Sequence, residues 1–122
     1  MQKNNVRIKT NITLSDKVNA IEGIVSSYFT NGEYTPYYAE MGEIIAIVTY
    51  FMEGIEFEEG ESIYNSVISD DDVMSLIKHI SDSDNMKFIK SMVEDKVIFL
   101  KELFANKKTD IEMNQVEVNQ ID

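Results

Sequence analysis

Cysteine is absent from this chain of 122 residues, so disulfide frameworks, thiolate metal sites and cysteine nucleophiles are excluded. Histidine occurs once, at His79, which removes His-pair metal sites and leaves little for a histidine-based triad. Cations are scarce: 11 lysines and arginines stand against 22 aspartates and glutamates, for a formal net charge of −11. Such a chain has too few positive groups to displace the counterions condensed on DNA or RNA, and an anionic membrane surface repels it. Neither a direct nucleic-acid partner nor a membrane partner is expected. Long apolar runs are missing too. The most apolar stretch, 37–52, contains Glu40, Gly42, Glu43 and Thr49 and reads as a buried helix, not a membrane span. The opening Met1-Gln2-Lys3-Asn4-Asn5 is polar and lacks the apolar core of a targeting signal. No Gly-rich phosphate loop, GxSxG elbow, HExxH or deaminase signature occurs.

What is present begins with a hydrophobic fraction of 43%, enough to build the core of one ordinary domain. Charge is distributed unevenly. Residues 1–48 carry −1, residues 49–85 carry −9, residues 86–106 carry +1 and residues 107–122 carry −2. Most of the negative excess is therefore confined to one segment of the chain.

Val6, Ile8, Thr10 and Ile12 alternate with Arg7, Lys9 and Asn11, which predicts a short half-buried strand over 6–12. A helix follows, capped by Thr13 or Ser15, with Asp16 in its first turn and Leu14, Val18, Ile21, Val25 and Tyr28 on one face. Asn31-Gly32 is expected to stop it in a left-handed conformation. Thr35-Pro36 opens a second helix, threonine as cap and proline at the first helical position. Apolar residues cover most of its circumference, so it should be central, ending at Gly54. Ile55-Glu56-Phe57 is too short to assign. Ile63, Tyr64, Val67 and Ile68 mark a short third helix. Ser69, three residues before Asp72, is expected to cap a fourth that carries Val73, Leu76, Ile77 and Ile80. Ser81 or Ser83 opens the longest, whose main stripe is Met86, Ile89, Val93, Val97, Leu100 and Phe104, with Phe88, Met92, Phe99 and Leu103 beside it. That stripe is wide enough to serve either as core or as a face between copies of the chain.

The fold class expected is mainly α: one compact domain, 1–106, of about five helices around a central buried helix, with a short N-terminal strand. A small α+β domain is the fallback. Residues 107–122 are expected to form a polar tail.

Three constellations bear on chemistry. The acidic block, Glu53, Glu56, Glu58, Glu59, Glu61, Asp70, Asp71, Asp72, Asp82 and Asp84, invites a test as a cation site. Asp82-Ser83-Asp84-Asn85 begins like an EF-hand loop, but Lys87 and Val93 occupy the two diagnostic positions, so no metal is expected. The same carboxylates read either as a solvated surface or as an imitation of a nucleic-acid backbone offered to a basic groove. Tyr34, Tyr37 and Tyr38 cluster around Pro36, where a loop exposes them to a protein partner or packs them inward. His79 has no identifiable orienting partner, and no catalytic role or cofactor is expected.

In style the chain resembles the small acidic proteins encoded by bacteriophages of low-GC bacteria. The resemblance rests on Val6-Arg7-Ile8-Lys9-Thr10-Asn11-Ile12-Thr13-Leu14, on Asn31-Gly32-Glu33-Tyr34-Thr35-Pro36-Tyr37-Tyr38 and on the Asn/Lys/Ile/Glu-rich composition. It implies a protein-binding role in the host cytoplasm or the virion. The partner would be a phage structural protein or, for an anti-CRISPR-like inhibitor, a host nucleic-acid-binding enzyme.

Overall fold

The computed structural model describes the backbone of residues 1–121 and the side chains of residues 1–107. Five α-helices and four short strands follow one another as β1 (Gln2–Ile8), α1 (Leu14–Ser27), β2 (Phe29–Thr30), β3 (Glu33–Tyr34), a 3₁₀ turn (Pro36–Tyr38), α2 (Ala39–Phe51), β4 (Met52–Glu56), α3 (Ile63–Ile68), α4 (Asp71–Ser81) and α5 (Asp84–Ile121). The protein is mainly helical with a short N-terminal strand, as the periodicity predicts. The segment expected to be a tail lies, apart from Lys107, outside the residues whose side chains are described.

α2 is the central helix. Ile44, Ala46, Ile47, Val48 and Phe51 are buried on it, against Ala20, Ile24 and Val25 of α1, Val67 of α3, Val73, Ile77 and Ile80 of α4, and Met86, Ile89, Val93 and Val97 of α5. Gly42, near its start, faces Ser27 at the end of α1 so closely that a Cβ there would lie 2.4 Å from the Ser27 Cβ.

Several boundaries differ from the sequence expectation. β1 starts at Gln2 and ends at Ile8, earlier than the 6–12 expected, because its register is set by a non-local partner. It pairs antiparallel with β4, Gln2 opposite Glu56 and Ile8 opposite Met52, with a bulge between Lys3 and Arg7. α2 does not run to Gly54 but passes into β4 at Met52, which is extended at φ −122°, ψ 153°. Gly54 lies inside that strand at φ +88°, under the bulge. A Cβ there would meet the carbonyl oxygens of Asn4 at 2.5 Å and Asn5 at 2.7 Å, so only glycine lets the two backbones approach.

Asn31 and Gly32 do have positive φ, 52° and 78°, but they form the tip of the β2–β3 hairpin instead of a helix end. Two consecutive positive-φ residues are what a type I′ hairpin turn needs. α1 is capped by Thr13, whose hydroxyl accepts from the Asp16 N–H while the Asp16 carboxylate accepts from the Thr13 N–H. Leu14 and Val18 of the predicted stripe are exposed, and the buried face turns to Ala20, Ile24 and Val25. Thr35 makes no side-chain cap. It is buried instead, its hydroxyl 3.0 Å from that of Thr30. At α4 the cap is Asp70, not Ser69, its carboxylate accepting from the Val73 N–H at 3.1 Å. Ser83 opens α5, accepting from the Met86 N–H.

Candidate functional site

The hairpin β2–β3 and the 3₁₀ turn occupy the whole connection between α1 and α2, and the Ser27–Gly42 contact pins the two helix ends that carry it. Pro36 presets the turn, and the Thr35 N–H donates to the Tyr28 carbonyl at 2.6 Å, fastening its base to the end of α1. The three candidate tyrosines are thereby separated into two environments. Tyr34 stacks on Tyr28 with ring centroids 6.3 Å apart and meets Phe29 at 5.9 Å, and the Lys101 ammonium of α5 stands 4.2 Å over its ring. Phe29 in turn touches Phe104 edge-on at 5.2 Å, so the hairpin is fastened to α5 by aromatic contacts. Tyr34 thus anchors the hairpin to α1 and α5.

Tyr34 remains 43% exposed, so what sets Tyr37 and Tyr38 apart is their contacts, not their exposure. Their rings pack on each other at 4.6 Å, yet Tyr37 is 73% exposed and Tyr38 41%. Paired aromatic rings on a rigid turn form a low-entropy contact surface of the kind enriched at protein interfaces.

Beside them a cleft of about 550 Å³ runs between the α1–α2 connection and α5, lined by Tyr28, Tyr34, Glu40, Glu43, Glu94 and Lys101 among others. Two of its lining residues, Glu43 and Lys90, are tied to Ser81 of α4 by polar contacts that the sequence did not reveal. The Ser81 hydroxyl donates to Glu43 at 2.6 Å, and Lys90 reaches Glu43 at 3.1 Å and the Ser81 hydroxyl at 2.9 Å. This triangle joins α2, α4 and α5. Lys90 acts there as a donor and ion-pair partner, and Ser81 has already committed its proton to a carboxylate. Burial is the first cause holding the Tyr28 hydroxyl above its ordinary pKa, with Tyr34, Glu43 and Glu94 adding to it. On the other side of Glu43 a second cleft, about 560 Å³, lies between α2 and α4.

The acidic block does not form one site. Four members have cationic partners: Glu53 with Arg7 at 2.9 Å, Glu61 with the amino group of Met1, Asp70 with Lys3 at 2.6 Å, and Asp84 with Lys87 at 3.9 Å. The Lys3 bond, then the Val73 N–H, hold the Asp70 carboxyl below its ordinary range. The amino group of Met1 does the same for Glu61. Glu56, Glu58, Glu59, Asp71, Asp72 and Asp82 are exposed and have no ion-pair partner within 4 Å among the described residues. No group of three His, Asp or Glu side chains that could hold a metal ion occurs among the described residues. His79 is exposed at the rim of a hollow of about 190 Å³ lined by Ile8, Ile12, Phe51 and Met86. No described helix is long and apolar enough to cross a membrane.

The sequence leaves the outer face of α5 open, as core or as a face between copies of the chain. Phe88 (63%), Ile98 (51%) and Phe99 (61%) are exposed there, a signal present in the excess width of the stripe. No protein-family model, no curated protein and no solved structure matches the chain.

Proposed function

We propose that this chain is a non-enzymatic, protein-binding accessory of a bacteriophage, a virion or assembly component that meets its partner through Tyr37 and Tyr38. The observation that carries this reading is the pair of mutually packed, exposed rings on a turn that Pro36 and the Thr35–Tyr28 hydrogen bond hold in place. The phage context comes from the likeness in sequence style, and with it the host cytoplasm or the virion as the setting.

A second reading is an anti-CRISPR-like inhibitor that offers acidic groups to a nucleic-acid-binding enzyme. It is favoured by the six carboxylates of the acidic block that are exposed and have no ion-pair partner among the described residues. Asp70 is unsuited to this role because it caps α4 and binds Lys3. The two readings separate in one experiment, affinity purification from infected or lysogenic bacteria with Tyr37→Ala/Tyr38→Ala and Asp71→Asn/Asp72→Asn beside the unaltered chain. Capsid or tail proteins that survive a high-salt wash and vanish only with the tyrosine variant support the assembly role. A nuclease lost at high salt, and lost with the aspartate variant, replaces it with the inhibitor.

A further inference from the structure

We propose that the hollow of about 190 Å³ where β1, α1, α2, α4 and α5 meet binds a small carboxylate that carries one ring or one short branched chain. Its walls are apolar. Ile8 comes from β1, Ile12 from the link to α1, Phe51 from the end of α2, and Met86 and Ile89 from the first two turns of α5. Phe51, Met86 and Ile89 are buried members of the core, so the floor is close-packed without any ligand. Two cationic or donor side chains join these walls, the half-buried Lys17 of α1 and the exposed His79 of α4. Neither makes an ion pair among the described residues. A lysine beside an apolar wall lays its stem along it and keeps its ammonium in water. A histidine offers an N–H in either protonation state.

Charge decides the occupant. The chain has 22 acidic against 11 basic side chains, and each of the other two clefts described above is lined by three carboxylates. These are Glu40, Glu43 and Asp71 in one, and Glu40, Glu43 and Glu94 in the other. The hollow is lined by none. Asp82 and Asp84 flank Ser83 of its lining in sequence, Asp84 pairing with Lys87, yet neither lines it. At about 0.15 M salt, carboxylates farther than about 8 Å are largely screened, whereas Lys17 and His79 act at the wall itself. An apolar body with one carboxylate therefore finds both of its halves matched.

Volume sets the size. A cavity of about 150 Å³ accepts benzene, so this one takes a single six-membered ring or a branched chain of about four or five carbons, and not two fused rings. The hollow lies at the opposite end of α2 from the Tyr37–Tyr38 turn, so it stands or falls independently of the partner proposed there.

Titrating the full chain with phenylacetate, benzyl alcohol and 1-naphthylacetate, followed by NMR, tests this. The chain has one histidine, so the His79 ring protons are unambiguous, and the Met86 methyl reports from the floor. Phenylacetate should shift both saturably, with a dissociation constant on the order of 1 mM. Benzyl alcohol keeps the ring and loses the charge, and it should bind about tenfold more weakly. 1-Naphthylacetate keeps the charge and exceeds the volume, and it should also lose at least about tenfold. Lys17→Gln/His79→Gln should lower phenylacetate to the affinity of benzyl alcohol, read at Met86, while benzyl alcohol binding and the circular dichroism spectrum stay unchanged. No saturable shift at about 20 mM phenylacetate overturns the proposal. So does equal affinity for benzyl alcohol, or for 1-naphthylacetate. A shift of His79 with Met86 unmoved would put the anion on the open surface and overturn it as well.

Discussion

Replacing Gly42 with alanine adds one methyl group at the point where α1 and α2 cross. That methyl would lie 2.2 Å from the Ser27 Oγ and 2.4 Å from its Cβ, against about 3.5–4.0 Å for an unstrained carbon contact. The hydroxyl can rotate away, but the Ser27 Cβ cannot, so the helices must part by about 1 Å. A carbon contact more than 1 Å too short belongs to the upper part of the overpacking range, about 2–3 kcal/mol. Alanine returns about 1 kcal/mol through its better helix propensity. The net expectation is a loss of about 1–2 kcal/mol, read as a fall of about 0.5–1 M in the urea midpoint by circular dichroism. Ser27→Gly removes the clashing carbon. In the double variant the two changes should therefore be coupled, with Gly42→Ala far less costly in the Ser27→Gly background. A Gly42→Ala protein as stable as the parent, or no coupling to Ser27→Gly, would refute the close crossing. The consequence reaches the candidate site, because Ser27 and Gly42 bracket the hairpin and the Tyr37–Tyr38 turn.

Phe51, 2% exposed where α2 passes into β4, should cost about 3–5 kcal/mol on replacement by alanine, measured by urea or thermal unfolding. Acid should unfold the protein in part through Asp70, Asp16 and Glu61, each held below its ordinary pKa by Lys3, the Thr13 N–H and the Met1 amino group respectively. A depressed folded-state pKa gives stability that is fully present above the unfolded value and disappears as pH falls through the folded one. Stability should therefore fall below about pH 4, and Asp70→Asn should flatten that fall in a pH series of urea midpoints.

The helices were legible because their signals are local. Thr13 with Asp16, the Val73–Ile77–Ile80 spacing and the Met86–Val97 stripe each lie within one element, and the structure keeps them. What failed was decided elsewhere in the chain. Phe51 and Met52 continue a helical spacing, and only pairing with β1, more than forty residues earlier, turns Met52 into a strand. Asn31-Gly32 carries the same positive-φ preference whether it ends a helix or turns a hairpin. The choice fell to the hairpin, whose Phe29 and Tyr34 dock on Phe104 and Lys101.

The candidate site divides in the same way. A loop position for the tyrosines follows from Pro36, but the separation of Tyr34 from Tyr37 and Tyr38 depends on α5. The acidic block was visible as composition. Its ion pairs with Lys3, Arg7 and the amino terminus were not, since those partners arrive from β1.

The central claim, that Tyr37 and Tyr38 form the partner-binding surface, is tested most directly by measuring binding of the captured partner to Tyr37→Ala/Tyr38→Ala. The parent protein and Phe99→Glu serve as controls. The account predicts an unchanged urea midpoint and circular dichroism spectrum with binding weakened at least about thirtyfold in the tyrosine variant. Full affinity in that variant would contradict it.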